Sequence, residues 1–328
     1  MLLAGDIGGT KTRLGIFSEA AGLRAPLVEA TVWNSVYPDF ETLLREFLAP
    51  VRQTIHKACF GVAGPVLDGR CRTTNLPWVI SEREIQQTFR IASVRLINDL
   101  EATAYAIPVL APADLKSLNA GETVPGGNVA VIAPGTGLGE SFMTWEGRRY
   151  RAYASEGGHA DFAPGNALEM ELLQDLRNRF GHVSQESVCS GTGIQRIYQF
   201  LKVKGCGEEP AWLLAALSQE KDQTPVIVAS AMDVERSCEL CKKTLDLFVS
   251  MLGAEAGNLA LKVLATGGVY LAGGIPPRIL PFLESGLFME AFCRKGRMSA
   301  LMARIPVCVV LHPGTALLGA AVCASKAL

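Results

Sequence analysis

The sequence predicts an α/β chain built from two related halves. Short apolar runs alternate with stretches of helical periodicity through the first hundred residues. A strand, glycine turn, strand pattern at Leu2–Phe17 returns in kind at Val129–Trp145, about half a chain later. Between the copies the chain is punctuated by Pro108, Pro112, Pro125, Gly126 and Gly127, where a domain boundary is expected.

The elements follow in order. Leu2–Gly5 is an apolar strand ending at a glycine turn, Arg13–Phe17 a second strand and Leu27–Trp33 a third. Asp39–Leu48 places Phe40, Leu43, Leu44, Phe47 and Leu48 on one helical face. Ala58–Val62 is a strand closed by Gly61 and Gly64-Pro65, and Ser81-Glu82-Arg83-Glu84 reads as a capping box for a helix to Phe89. Val94–Ile97 is a buried strand, and Asp99–Ile107 the helix after it. In the second half, Val129–Ala133 and Ser141–Trp145 are strands around Gly135-Thr136-Gly137-Leu138-Gly139. Ala167–Arg179, Thr192–Lys202 and Asp233–Leu264 are helical, the last carrying Gly253, Ala256 and Gly257 for close packing. Gly268–Ala272 and Val307–Leu311 are strands, and Thr315–Lys326 is the final helix.

Composition narrows the class. The 328 residues are 49% hydrophobic and 19% charged, enough to bury two cores. The 31 basic and 32 acidic residues nearly cancel, so binding to nucleic acid by counterion release is not expected. No run of 18 apolar residues marks a membrane helix, and Met1–Asp6 lacks the basic and apolar regions of a signal peptide. The nine cysteines are odd in number and scattered, which fits reduced thiols in a cytoplasm. Cys238 and Cys241 form a lone C-x-x-C in a helical pattern with no second pair, a poor zinc site.

Six segments could carry chemistry. In Asp6-Ile7-Gly8-Gly9-Thr10-Lys11-Thr12 a strand delivers an Asp to a turn whose glycines admit a phosphate to the backbone. Asp6 could hold hydrated Mg²⁺, and Thr10 and Thr12 could donate hydroxyls; an ordinary hairpin turn is the competing reading. Gly135-Thr136-Gly137 is a second such turn. It is not a dinucleotide fingerprint, since Glu140 and a strand follow, and no Gly-Lys pair exists for a P-loop. Asn98-Asp99 stands beyond the carboxyl end of a strand, where Asp99 could accept a hydroxyl proton or serve as a helix N-cap. Glu156, His159 and Glu186 are polar groups in glycine-bounded loops, suited to sugar hydroxyls that both donate and accept; a solvent-exposed loop with ordinary polar residues is the competing reading. Gly273-Gly274 ends a strand with residues small enough to admit adenosine, or makes a plain strand-to-helix turn.

The order of these segments resembles the bacterial ATP-dependent glucokinase family, within the actin/hexokinase/Hsp70-type ATPases. Asp-Ile-Gly-Gly-Thr, Ile-Asn-Asp-Leu-Glu-Ala, Gly-Thr-Gly-Leu-Gly, Glu-Gly-Gly-His-Ala-Asp-Phe and Ala-Gly-Gly-Ile occur at domain-scale spacing. Thr74-Asn75-Leu76-Pro77-Trp78, Gly181–Ser184, Cys189-Ser190-Gly191 and Pro313-Gly314 add to the likeness, which runs from Gly5 to about Gly319. It implies two RNase H-like (actin/hexokinase-type) α/β domains around an active-site cleft, set at residues 1–109 plus 312–328 and 110–311. It implies ATP held by Asp6, Gly8, Gly9, Thr10, Gly135, Thr136, Gly137, Gly273 and Gly274, with Mg²⁺ on Asp6 through water. It implies glucose held by Asn98, Asp99, Glu156, His159 and Glu186, Asp99 as the base, and a homodimer. Lys11 and His312 depart from the residues common in the family, and Lys11 resembles the related ROK sugar kinases, whose Cys-rich zinc motif is missing here. A kinase of mannose, fructose or an N-acetylated hexose is the alternative expectation. A sugar-sensing regulator would need a DNA-binding segment ahead of Gly5, for which the sequence leaves no room. An actin-like ATPase would lack the Glu156/His159/Glu186 cluster.

Overall fold

The computed structural model describes residues 1–73 and 76–326. Thr74 and Asn75 of the Thr-Asn-Leu-Pro-Trp stretch, and the last two residues of the C-terminal segment, lie outside them. The chain forms two compact units: Met1–Ala111 with Arg148–Ala154 and His312–Leu328, and Pro112–Gly147 with Ser155–Leu311.

In the first unit, β1 (Leu2–Ile7), β2 (Lys11–Phe17), β3 (Val28–Trp33), β4 (Lys57–Val62) and β8 (Ser93–Asn98) form one sheet in the order β3-β2-β1-β4-β8. The first three are antiparallel neighbours, whereas β1, β4 and β8 run parallel. A small antiparallel sheet is made by β5 (Val66–Leu67), β6 (Arg70–Arg72) and β7 (Val79–Ser81). The helix Phe40–Leu48 is capped by Asp39, which accepts from Thr42 N–H at 2.7 Å. It turns Phe40 onto Phe60 of β4 edge to face at 5.1 Å, beside the buried Trp78. Ser81 caps the helix Glu82–Phe89, but the reciprocal half of the expected capping box is absent. Glu84 pairs with Arg70 at 3.0 Å instead, and Glu82 accepts from Leu96 N–H at 2.7 Å.

The second unit contains β9 (Leu115–Ser117), β10 (Val129–Pro134), β11 (Leu138–Trp145), β13 (Gly268–Leu271) and β14 (Val307–Val310). The remaining strand, β12 (Tyr150–Ser155), is mostly grouped with the first unit. β10 pairs antiparallel with β11 and parallel with β13, which is parallel to β14; β9 closes on β14 antiparallel. This β11-β10-β13-β14 order repeats β2-β1-β4-β8, so the recurrence in the sequence is a recurrence of topology.

The long helix of this unit runs Glu239–Val263 and not from Asp233. The Asp233 carboxylate accepts from the N–H groups of Glu235 (2.8 Å) and Arg236 (2.9 Å), a side-chain turn that competes with helix. Cys238 therefore stands at the helix start, and both it and Cys241 are buried. Gly253 and Gly257 meet the carbonyls of Phe288 and Phe292, where any Cβ would collide, so the helix Leu287–Cys293 packs backbone to backbone there.

Candidate active site

In the first unit the site grows from the β1–β2 turn. Gly8 N–H closes that turn on Lys11 O at 3.0 Å, so it is not a donor for a ligand; Gly9 and Thr10 form the tip. Asp6, at the end of β1, is half-buried and sits opposite Arg13 of β2. Burial pushes its carboxyl above the usual range, and the Arg13 guanidinium partly opposes this. Arg13 itself donates to Pro313 O at 2.9 Å and pairs with Glu29 at 2.5 Å, which ties the sheet to the Pro313-Gly314 segment.

Two details correct the sequence reading here. Thr12 does not offer its hydroxyl to a ligand: it is completely buried and donates to Asn34 Oδ1 at 2.7 Å. Asn34 Nδ2 in turn donates to Gly8 O at 2.8 Å, and Asn34 N–H reaches Thr10 O at 3.0 Å. Asn34 thus straps the glycine turn from three sides. Sequence reasoning missed it, because an Asn after a strand signals only a turn and its partners are more than twenty residues away.

Asn98 and Asp99 lie where β8 passes into the helix Asp99–Ala106. The N-cap is Asn98, not Asp99: its Oδ1 accepts from Leu100 N–H (2.9 Å) and Glu101 N–H (3.4 Å), and its Nδ2 reaches Gly64 O at 3.4 Å. Asp99 is the first helical residue, and its Oδ1 shares the Leu100 N–H at 2.9 Å. The capping role that competed with a catalytic one therefore belongs to the neighbour. Gly61 lets the helix lie close on β4, since a Cβ there would come within 2.9 Å of Ala102 Cβ.

In the second unit, Gly135 N–H closes its turn on Gly137 O at 2.8 Å, and Gly135 O accepts from Gly191 N–H at 2.8 Å. The helix Gly191–Val203, capped by Ser190, thereby starts at the turn. A cavity of about 930 Å³ opens beside it, lined by Gly135, Thr136, Gly191, Gln195, Thr224 and Gly274 among others. That volume suits a nucleoside. Gln195 donates to Asp222 Oδ1 and Thr224 Oγ1, each at 2.9 Å, and Thr224 donates to Gly191 O at 2.9 Å, a network fixing the wall. None of these three residues carried a signal in the sequence. Gly273 has φ +85° and approaches Pro134 O, whereas Gly274 has nothing within 4 Å of a Cβ position and faces the cavity.

Glu186 joins this turn to the second group of polar residues. Its Oε2 accepts from Leu138 N–H at 2.9 Å and occupies the place a Cβ on Gly137 would take. Its N–H donates to Gly158 O at 2.8 Å, and Gln185 N–H donates to Ala160 O at 2.8 Å. The 156–160 and 184–187 segments are thus held side by side. Glu156 and His159 stand on a 3₁₀ turn with Oε2 and Nε2 3.8 Å apart, and their side chains are about two-thirds exposed, at 67% and 63%. The two glycines of that turn are fixed by close packing. Gly158 is buried against Leu138 O and Gly157 against Glu140, where side chains would collide. Glu156, His159, Glu186, Thr136 and Gly137 form one assembly in the second unit; Asp6, Asn98 and Asp99 belong to the first.

This chain folds like solved sugar kinases. A glucokinase from an Antarctic psychrotroph superposes with a TM-score of 0.85 at 34% identity, covering 99% of both chains. The glucokinase of Balamuthia mandrillaris in complex with glucose gives 0.77 at 22% identity over 99% and 93%. A ROK family glucokinase from Streptomyces griseus in complex with glucose and AMPPNP gives 0.61 at 19% over 99% of each, a likeness of fold. The fold is that of the sugar kinases of the actin/hexokinase type. The glucokinase family model matches residues 3–327. A curated glucokinase of Synechocystis sp. is 43% identical over 99% of this chain and 98% of its own length. One from Yersinia pestis is 35% identical over 97% and 94%. The chain belongs to the glucokinase family.

Proposed function

We propose that this chain transfers the γ-phosphoryl group of ATP to the 6-hydroxyl of glucose, with Asp99 as general base. The observation that carries this reading is Glu186, whose carboxylate and backbone bind the Gly135–Gly137 turn to the Glu156–His159 turn within a chain 43% identical to a glucokinase.

Phosphoryl transfer asks mainly for positioning and charge stabilisation. The adenosine would enter the cavity lined by Gln195, Thr224 and Gly274. Phosphates would be met at the tips of the two turns, by Gly9 and Thr10 in one and Thr136 and Gly137 in the other, because Gly8 and Gly135 use their own N–H groups to close those turns. Glu156, His159, Glu186 and Asn98 would hold sugar hydroxyls. Asp99 would accept the 6-hydroxyl proton as the new O–P bond forms. Domains at residues 1–109 plus 312–328 and 110–311 would each supply one phosphate turn.

Among the described residues no cluster of three His, Cys, Asp or Glu side chains is arranged to cage a metal. Asp6 fits a different kind of site. Its carboxylate is the one acidic group of the β1–β2 turn, raised by burial, and a cation arriving with the nucleotide would offset that burial. A single carboxylate suits Mg²⁺ that keeps its waters and its phosphate ligands. When bound, Mg²⁺ would neutralise charge on the β- and γ-phosphates.

We read the chain as a cytoplasmic homodimer. All nine cysteines are free thiols, which suits a reducing compartment, and no helix among the described residues is long and apolar enough to cross a membrane. The test is ADP release with Mg-ATP across a hexose panel. Glucose should give the highest kcat/KM. ATP turnover indifferent to sugar, or a clear preference for mannose, fructose or an N-acetylated hexose, would overturn the reading.

A further inference from the structure

Beneath the Glu156–His159 turn lies a pair of buried carboxyls that the reaction does not use. Glu140 points inward from β11, and Glu255 faces it from the helix Glu239–Val263; both are 1% exposed. Glu140 Oε1 and Glu255 Oε1 are buried without a hydrogen-bond partner among the described residues. Charge around them is short. Lys262 Nζ lies 3.6 Å from Glu255 Oε1, and Asn258 Nδ2 donates to Glu255 Oε2 at 2.9 Å. Lys295 donates instead to Ala254 O (2.8 Å) and Asn258 Oδ1 (2.6 Å). Glu169 accepts from Gly165 N–H at 2.6 Å and Asn166 at 2.8 Å, and burial pushes the Cys189 thiol well up. Among the described residues Lys262 is the one cation at ion-pair distance from either carboxyl, and it pairs with Glu255, on which the Lys295 charge also acts. The remaining carboxyl is best satisfied neutral, as a donor to its neighbour.

The other side of Glu140 touches the sugar turn. A Cβ on Gly157 would fall on Glu140 Oε2 and lie 2.9 Å from its Cδ, so the carboxyl packs directly under that residue, next to Glu156. Gly157 N–H is held by Ser155 Oγ at 3.0 Å.

We propose that Glu140 is a positioning residue for sugar binding: Glu140 keeps a proton that it donates to Glu255, and loss of that proton loosens the Glu156–His159 turn. This rests on the reading of Glu156 and His159 as sugar contacts. With the proton in place, Glu140 donates to Glu255 and fixes the floor on which Gly157 sits. Without it, two facing carboxylates repel, and Glu140 is driven toward Gly157. Burial first, and the Glu255 charge second, push the Glu140 carboxyl up to about 8, so the change falls in an accessible pH range.

The experiment is the pH dependence of KM for glucose and for ATP, from pH 6.5 to 9.5, in the full chain and in Glu140→Gln, Glu255→Gln and Glu156→Gln. In the unsubstituted protein, KM for glucose should rise about fivefold or more across pH 8, while KM for ATP and kcat change less than about twofold. Glu140→Gln should hold the low-pH glucose KM throughout. If it does not fold, Glu255→Gln should show the same flattening. A variant that folds and keeps the original pH dependence overturns the proposal. Glu156→Gln should raise KM for glucose at every pH. If it does not, the sugar assignment has failed and the positioning role with it, even where Glu140→Gln still removes the pH dependence of the melting temperature that the Glu140 proton produces. A raised KM in Glu156→Gln with an unaltered pH profile in Glu140→Gln rejects the role of the Glu140 proton alone.

Discussion

Asn34→Ala is the sharpest test of how the first phosphate turn is held. The substitution leaves the completely buried Thr12 hydroxyl without its 2.7 Å acceptor and Gly8 O without its 2.8 Å donor. Leaving a buried polar group unpaired costs about 1–3 kcal/mol, and a half-buried carbonyl about 1, so the first unit should lose roughly 2–4 kcal/mol. For a domain of its size that is roughly 5–15 °C in melting temperature. The strap holds the turn that carries Gly9 and Thr10, so KM for ATP should rise while KM for glucose moves less. Differential scanning calorimetry and steady-state kinetics at permissive temperature read both effects. A variant within about 0.5 kcal/mol of the unsubstituted protein, with normal KM for ATP, would show that the turn does not depend on this network.

Three further outcomes follow from the geometry. Gly274→Val, at a position with nothing within 4 Å of a Cβ, should fill the cavity and weaken ATP binding in calorimetry while glucose binding persists; Gly137→Val collides with Glu186 and should impair both. Glu156→Gln should raise KM for glucose alone, whereas Glu186→Ala, which removes the acceptor of Leu138 N–H, should affect both substrates. The Glu140 carboxyl, raised from 4.5 to about 8, keeps its proton in the folded chain after the unfolded chain has lost it. Its contribution to stability is therefore full below about pH 4.5 and declines as pH rises to about 8, by at most about 4–5 kcal/mol. Glu140→Gln should flatten melting temperature over that window, and an unchanged slope would place the titration elsewhere.

The sequence made the turns legible because glycine has a positional meaning. Gly8, Gly135 and Gly273 mark places where backbone closes tightly or approaches another chain segment, and the structure finds each of them so. Helix starts are legible to within a residue or two where a cap such as Asp39 or Ser190 acts on the N–H group three residues away. What stayed hidden depends on distant partners. Asn34 reads as a turn residue until Gly8 and Thr12 are beside it, and Glu140 reads as the polar end of a glycine loop until Glu255 faces it across more than a hundred residues. Helical periodicity extends the long helix back to Asp233, but the Asp233 carboxylate satisfies its own neighbours' N–H groups and the helix starts later. Asp99 was legible as a carboxylate at a strand end, but only the structure separates it from the cap, which is Asn98.

That separation makes the central claim directly measurable. Asp99→Asn leaves the Asn98 cap and its bonds to Leu100 and Glu101 in place, so the protein should fold and melt near the unsubstituted temperature. Its kcat at saturating glucose and Mg-ATP should fall at least about 10²-fold, the low end for loss of a general base. A folded Asp99→Asn enzyme with nearly normal kcat would contradict the account.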